Sequence, residues 1–276
     1  MLFLRNYAME RFLERLSASK YRNCFILKGG MLISAMVGID SRATMDIDTT
    51  LRNYPLNCES AEQIVRQIAD VEIDDKISFV IKKTEEIMED SEYQGVRLSL
   101  DAYLDKTRIP LKIDISTGDV ITPCEISFSY QLMFENRTIP LLAYPPETVL
   151  AEKLETILSR GEANTRLRDF YDVYILQRED FVVTPDALRY ALLATCRKRG
   201  HEDLLHTYAS ILDRVRQSDT MRTQWMKYQS DFDYAAGISW DTVVDTVETL
   251  CMKTLDDHAF GDELPQEESQ FEMHLL

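Results

Sequence analysis

The consecutive prolines Pro145 and Pro146 divide the chain into two parts of different character. Proline has no backbone N–H and fits neither the interior of a helix nor a central strand, so we expect the architecture to change here. Strand-like apolar runs are common before the prolines, whereas helical periodicity dominates after them. We therefore predict an α+β protein, with a mixed sheet and flanking helices in residues 1–144 and a helical domain in residues 145–255.

The individual elements are predicted from periodicity and from the turn residues between them. In the first part this gives helices at 5–20, 31–37 and 59–71, and strands at 23–27, 45–51, 77–82, 96–103 and 109–116. A hairpin turn at 105–108 and edge strands at 126–128 and 138–142 complete this part. The second part is predicted to contain helices at 147–159, 166–178, 185–199, 203–216, 219–229 and 240–255.

The net charge of −16 argues against a broad nucleic-acid-binding surface, because phosphate contacts need clustered Lys and Arg. A nucleotide or RNA site must therefore be a local basic pocket, or be bridged by metal. Part of the charge belongs to residues 256–276, which carry seven carboxylates and no Lys or Arg. That composition predicts a disordered or partner-binding tail.

No run of about 18 apolar residues occurs, so no membrane span is expected. The N-terminal residues mix Arg and Glu with apolar positions, which is typical of an amphipathic helix and not of a secretory signal. The five cysteines are an odd number and have no metal-ligand spacing. Free thiols and a cytoplasmic location are the simplest interpretation.

Asp46 and Asp48 are the strongest indication of chemistry. They alternate with Met45 and Ile47 on a predicted strand, so both side chains point to one face, about 7 Å apart. Carboxylates this close repel each other unless a cation lies between them, and Mg²⁺ accepts one or two carboxylates together with phosphate oxygens. The alternative is an exposed strand with solvated acids, although aspartate is poorly suited to strands.

A third carboxylate, Asp114, shares one face of the predicted strand 109–116 with Lys112 and Ser116. If this strand lies beside strand 45–51, Asp114 joins the other two acids. Three carboxylates can hold two metal ions about 4 Å apart, and Asp114 would then also be the candidate general base. The alternative is an ordinary polar strand face.

Gly29 and Gly30 stand at the start of a predicted helix. Without side chains, their backbone N–H groups can approach a phosphate, and the helix dipole favours that anion. A Gly-Gly pair alone is a weak indication, and the spacing to the acids makes it stronger. The pair does not have the form of a P-loop.

In the helical part, Lys153 flanks the apolar stripe of the first helix, where it either extends to water or reaches a buried anion. The next helix carries Asp169 and Asp172 as i,i+3 neighbours, with Arg168 facing Asp172 at i,i+4. A surface helix held by ion pairs would have the same spacing, so both interpretations stay open.

In chain order these segments resemble the AbiEii/AbiGii toxin family, whose members belong to the DNA polymerase beta-like nucleotidyltransferases. The motifs that carry the resemblance are Lys28–Gly29–Gly30, Arg42–x–Thr44–x–Asp46–Ile47–Asp48, Lys112–x–Asp114–x–Ser116, Glu152–Lys153–Leu154 and Arg168–Asp169–Phe170–Tyr171–Asp172. The resemblance runs from about residue 24 to residue 176. The family's opening motif is commonly Gly-Ser, so Gly30 removes a hydroxyl that Ser34 or Thr44 could replace.

The resemblance implies a Mg²⁺- or Mn²⁺-dependent nucleotidyltransferase that moves a nucleotide from an NTP to an acceptor such as tRNA. It also implies a toxin of a bacterial toxin–antitoxin, abortive-infection or phage-defence system, with a cognate antitoxin as partner. Metal binding is then expected of Asp46, Asp48 and Asp114, and catalysis of these three with Lys153, Asp169 and Asp172. Nucleotide binding is expected of Lys28, Gly29, Gly30, Arg42, Thr44, Lys153 and Arg168.

Two other functions fit the same residues. A metal-dependent phosphohydrolase or nuclease would use these carboxylates with water as the nucleophile. A catalytically inactive module would keep the fold and bind a partner through the acidic tail.

Overall fold

The computed structural model describes residues 2–89, 93–178 and 183–255. The prediction of a disordered tail at residues 256–276 lies outside the described residues. Within them, the first part of the chain forms a mixed sheet with helices, and the second part is helical, so the α+β class is confirmed. No helix in the described ranges combines the length and apolar character that a membrane crossing needs.

Seven strands form one sheet in the described residues, in the order β3-β4-β5-β2-β1-β7-β6. Parallel pairing joins β2 to β5 and β1 to β7, and the other neighbours are antiparallel. The strands are β1 (Phe25–Lys28), β2 (Ile47–Leu51), β3 (Ile77–Glu89), β4 (Tyr93–Leu104), β5 (Thr107–Ser116), β6 (Ile126–Gln131) and β7 (Thr138–Ala143).

Strand β3 extends seven residues beyond its predicted end at residue 82, and two further strand predictions need correction. Strand β7 is not an edge strand, because it pairs in parallel with β1 as well as antiparallel with β6. The turn between β4 and β5 is two residues long, Asp105 and Lys106, and not the four residues 105–108. Asp105 adopts a left-handed φ of 51°, which closes the shorter turn and shifts the register of the hairpin by two residues.

Three helices of the first part flank this sheet: α1 (Leu2–Ala18), α2 (Gly29–Val37) and α3 (Cys58–Ala69). Helix α1 packs on β5, β7 and α3 through buried Phe12, Leu13 and Leu16. Helix α3 begins with a capping box at Asn57 and Ser60, and it buries one apolar face towards β3. Helix α2 begins directly after β1, at the two glycines, without an intervening loop.

The second part begins where the prolines predict, since Pro146 is the first residue of α4. Helix α5 follows α4 and contacts both α4 and α2, so it bridges the two parts of the chain. An aromatic cluster that includes Tyr171, Tyr228, Tyr234 and Trp240 packs α5 against the last helices. The helices are α4 (Pro146–Arg160), α5 (Leu167–Arg178), α6 (Pro185–Lys198), α7 (Leu204–Gln217), α8 (Asp219–Asp231) and α9 (Trp240–Leu255).

Candidate active site

Four charged residues form one transverse row across the centre of the sheet. Asp48 on β2 is the register partner of Lys28 on β1 and of Asp114 on β5, and Asp114 is the partner of Arg97 on β4. Register partners project from the same face of a sheet. Two carboxylates therefore lie side by side with a cation at each end of the row. The sequence predicted that β5 would bring Asp114 to the β2 acids, and the pairing of these strands does so.

The glycines at the start of α2 leave room for Asp48. Gly29 has a φ of +63°, and a Cβ there would lie 2.2 Å from Oδ2 of Asp48. The backbone N–H of Gly30 donates to the same oxygen at 3.2 Å. A Cβ on Gly30 would lie 2.7 Å from Oγ1 of Thr44. The helix N-terminus thus favours an anion as predicted, and in this structure the anion beside it is a carboxylate of the chain itself.

Asp46 is half-buried and lies one residue before β2. The strand begins at Ile47, two residues later than predicted. Burial raises the pKa of Asp46, and the positive charge of Lys112 opposes that rise, while the neighbouring Asp114 adds to it. A carboxylate whose charge is destabilised in this way is stabilised by a cation from outside the chain.

Asp114 directs both carboxylate oxygens to Arg97, at 2.8 Å and 2.5 Å. This hydrogen-bonded ion pair raises the pKa of Arg97. Among residues 2–89, 93–178 and 183–255, no three His, Cys, Asp or Glu side chains converge on a possible metal position. The three predicted metal ligands therefore border the same cleft without converging on one ion, and Arg97 is the residue that engages the third.

A second charged cluster is buried beneath the cleft in the helical part. Lys153 on α4 donates to Asp169 at 2.5 Å and lies 3.2 Å from Asp172. Arg42 donates to both oxygens of Asp172, at 2.6 Å and 3.3 Å. Asp169 and Asp172 are 3% and 0% exposed, which excludes the surface ion-pair interpretation of this helix.

The charges of this cluster balance inside the protein. Burial alone would raise the pKa of Asp172, but Arg42 and Lys153 outweigh burial and hold that pKa below its ordinary value. The opposite holds for Lys153. Burial alone would lower its pKa, but Asp169 and Asp172 outweigh burial and raise it. The sequence predicted that Arg168 would face Asp172 at i,i+4. In the structure Asp172 pairs with Arg42 instead, and Arg168 lies exposed at the cleft.

Asp119 is a half-buried acid of the site that the sequence did not indicate. Its Oδ2 accepts hydrogen bonds from Lys28, Thr50, Ser116 and Tyr144, at 2.9, 2.5, 2.6 and 2.9 Å. Burial tends to raise the pKa of this carboxyl, but Lys28 and the hydroxyl donors prevail and lower it to about 2. The cluster fixes Lys28 at the end of the transverse row.

These elements enclose a cleft of about 880 Å³ between the sheet and the helical part. Every residue predicted for the site lines it except Asp172, which lies behind Arg42 and Lys153. Eight cationic residues line the cleft together with seven acidic ones, so cations are concentrated here although the chain is acidic. Its lysines and arginines are Lys28, Arg42, Arg97, Lys153, Arg166, Arg168, Arg199 and Lys227.

A second cavity of about 870 Å³ adjoins the first one. The two share a wall that includes Asp46 and Arg168. The second cavity has a more apolar lining, with Met45 53% exposed and Phe232 beside it. Asp46 is therefore approachable from two cavities, whereas Asp48 lines only the first.

Comparison with known proteins gives one match by sequence and several by fold. The profile of a family described as "Nucleotidyl transferase AbiEii toxin, Type IV TA system" matches residues 11–246. No curated protein matches the chain by sequence at a significant level.

Three solved structures are similar in fold. JHP933 from Helicobacter pylori has 13% identity and a TM-score of 0.51, over 93% of this chain and 94% of its own. A second H. pylori protein, provisionally called a nucleotidyltransferase, has 12% identity and a TM-score of 0.51, over 94% and 98%. An antigenic nucleotidyltransferase-like protein from Paracoccidioides brasiliensis has 13% identity and a TM-score of 0.41, over 72% and 90%.

Proposed function

The chain belongs to the AbiEii family of nucleotidyl transferase toxins, and from that premise we propose that it transfers a nucleoside monophosphate from an NTP to an acceptor hydroxyl. The acceptor oxygen forms a bond to the α-phosphorus, the bond from that phosphorus to the bridging oxygen breaks, and pyrophosphate leaves. One observation carries the proposal: a single cleft gathers the β2 aspartates, the start of α2 and the cations of the helical part.

The triphosphate binds between the start of α2 and the cations that face it. Arg168 and Arg166 are exposed at the mouth of the cleft and can pair with phosphate oxygens. Lys153 reaches the cleft while Asp169 and Asp172 hold its ammonium group. Arg42 is a positioning residue in this proposal, because its guanidinium is committed to Asp172.

Asp46 and Asp48 fit a divalent metal ion. Asp46 precedes β2 by one residue, Asp48 lies on β2, and both line the cleft, where burial destabilises Asp46 as an anion. Two carboxylates with phosphate oxygens are a common ligand set for Mg²⁺. When bound there, the ion would neutralise charge on the transferring phosphate. The remaining contribution of the chain is to orient the reacting groups and to exclude water.

The acceptor approaches from the second cavity in this proposal. That cavity shares Asp46 with the first one and does not include Lys153 in its lining, so we assign the acceptor hydroxyl to the second cavity and the leaving pyrophosphate to the first. Met45 and Phe232 offer apolar surface for a base, and Lys112 and Arg108 offer charge for phosphates. An RNA end such as that of tRNA has both features, so we take RNA as the acceptor class.

We further propose that residues 1–144 are a catalytic core and that residues 145–255 are a helical domain that closes over the NTP. Closure is supported by the cleft lying between them, with lining residues from both. The family's description as a toxin of a toxin–antitoxin system supports a cognate antitoxin as partner.

The test is to incubate the full chain with Mg²⁺, total tRNA and each of the four NTPs labelled at the α-phosphate. We expect label to join RNA with one or more of the nucleotides, and Asp48→Asn to lose that labelling while it stays folded. Labelled NDP or NMP without transfer to RNA, or cleaved RNA, would instead indicate the phosphohydrolase or nuclease. No reaction and no Mg²⁺-dependent NTP binding in calorimetry would indicate an inactive binding module.

A further inference from the structure

Arg97 occupies the place beside Asp114 at which a second cation of the site would be bound. We propose that this guanidinium supplies the positive charge of a second metal ion, so that the site holds one divalent ion, on Asp46 and Asp48. The inference rests on the proposed function, and it assigns Arg97 and Asp114 roles that the metal-ligand prediction does not include.

The strand register fixes Arg97 beside Asp114. Arg97 and Asp114 are direct partners on neighbouring antiparallel strands, so their Cα positions are fixed by the backbone of the β4–β5 hairpin. The pair needs no long-range folding event, because the two-residue turn at Asp105 and Lys106 sets it. A cation built into the sheet in this way is present before any nucleotide arrives.

Arg97 engages both carboxylate oxygens of Asp114. Its Nε and Nη2 donate to them in the fork-shaped geometry that arginine makes with carboxylates. Asp114 is buried, and Arg97 is about one-third exposed at its side chain. A metal ion at Asp114 would have to displace a charge-assisted pair and would leave a guanidinium next to itself.

Arg97 and Asp114 lie beside the other acids of the site. Arg97 lines the same cleft as Asp46 and Asp48, and Asp114 is the register partner of Asp48. The guanidinium therefore places a positive charge in the cleft that all three carboxylates line.

Asp114 becomes a positioning residue in this arrangement. Its carboxylate holds the Arg97 guanidinium at the cleft wall, where the N–H groups that do not contact Asp114 can face a phosphate oxygen. The structure therefore accounts for an acid at position 114 without making it a metal ligand.

The test is the binding of Mn²⁺ alone to the full chain, measured by the loss of the free-ion signal in electron paramagnetic resonance. We expect one ion on the wild type, and an affinity within about twofold of it for Asp114→Asn. Arg97→Gln frees a third carboxylate, so we expect it to bind a second ion or to bind Mn²⁺ about tenfold more tightly. The double variant with Asp114→Asn should return to wild-type behaviour.

Two further variants separate charge from folding. Arg97→Lys keeps a cation beside Asp114 and should bind Mn²⁺ as the wild type does. Lys106→Gln removes a cation from the exposed turn of the same hairpin, away from the row, and should also leave Mn²⁺ binding unchanged. Thermal unfolding of each variant verifies that the protein measured is folded.

The outcomes that contradict the inference are distinct from those that contradict the proposed function. Two ions on the wild type, one of them lost in Asp114→Asn, would overturn the role of Arg97 and leave the transferase intact. Unchanged binding in a folded Arg97→Gln variant would also overturn it. A wild type that binds no Mn²⁺, with or without NTP, would remove the metal site on which the proposed function depends.

Discussion

Two pairs of aspartates border the cleft in opposite ways. Asp46 and Asp48 are i,i+2 neighbours at β2 and are half-buried, facing the space where a ligand can enter. Asp169 and Asp172 are i,i+3 neighbours on α5, are buried, and are neutralised by cations of the chain. Spacing along an element therefore identifies a pair of acids, but it does not show whether the charge that compensates them comes from the chain itself or from a bound cation.

The compensating charge determines what each pair can do. The α5 pair already has its cations, so its physical role is to hold Arg42 and Lys153 in fixed positions. At the β2 pair, the start of α2 lies beside Asp48, and the charges of Lys112, Arg97 and Arg168 act on Asp46, yet burial still raises the pKa of Asp46. Of the two pairs, the one at β2 is the one that favours an incoming cation.

The largest expected effect is on activity at the β2 pair. Asp48→Asn should reduce nucleotidyl transfer at least about 1000-fold, equivalent to roughly 4 kcal/mol, because it removes a charge that a metal-bound phosphate needs. Its free energy of unfolding should change by less than about 1 kcal/mol, since Asn can still accept from Gly30. Single-turnover labelling and urea denaturation measure the two quantities, and activity within tenfold of wild type would remove Asp48 from the site.

The next largest effect is on stability at the α5 pair. Asp172→Asn leaves Arg42 and Lys153 buried without their shared anion, which should lower the free energy of unfolding by about 3 kcal/mol. The measurement is urea denaturation at pH 7. Asp213→Asn, at an exposed position on α7, is the control and should remain within about 0.5 kcal/mol of wild type. Equal stability of the two variants would contradict the internal compensation of α5.

Asp119 lies on the sheet side but, like the α5 pair, is held by groups of the chain itself, which donate to its Oδ2. It therefore tests whether pairing, and not the type of element, separates the two classes of acid. Its pKa of about 2 lies below the ordinary 3.8, so its contribution to stability is present above about pH 4 and is lost as pH falls through about 2. Asp119→Asn should cost about 2 kcal/mol at pH 7. Denaturation curves should show the gap to wild type closing between pH 4 and pH 2, and a constant gap would refute the assignment.

The smallest expected effect is on the activity of a variant at Gly29, where a Cβ would fill the space that the Asp48 side chain occupies. Gly29 and Gly38 both have positive φ, 63° and 90°, but a Cβ meets Asp48 at the first position and no atom within 4 Å at the second. Alanine at either position should cost similar stability, about 1 kcal/mol. Only Gly29→Ala should reduce transfer, by about tenfold, because it displaces the carboxylate. Similar activities of the two variants would show that backbone strain alone matters.

Most of the fold could be predicted because the patterns that carry it are local. The strict alternation around Asp48 and Asp114 determines which side chains share a face, and Pro145–Pro146 marks the change of architecture. The position of β7 could not be predicted, since a short apolar run before two prolines gives no sign of which strand it joins. Its place beside β1 is decided by long-range packing.

The residues missed at the site have partners that are distant in sequence or depend on turn length. Asp119 is held by Lys28, Thr50 and Tyr144, which lie on three other segments, so no local pattern includes it. A four-residue turn after β4 would have placed Ser99 opposite Asp114. The observed two-residue turn places Arg97 there, and counting the turn as Asp105–Lys106 is the signal that could have found it.

The segment between α2 and β2 is attached to α5 at two successive residues. The hydroxyl of Tyr171 donates to the carbonyl of Ser41 at 2.5 Å, and Arg42 is bound to Asp172. Asp46 follows Arg42 by only four residues in this segment. If α5 rotates as the cleft closes on a triphosphate, the segment moves with it. Nucleotide binding and the positioning of Asp46 are then coupled, and a ligand too short to move α5 leaves Asp46 out of position.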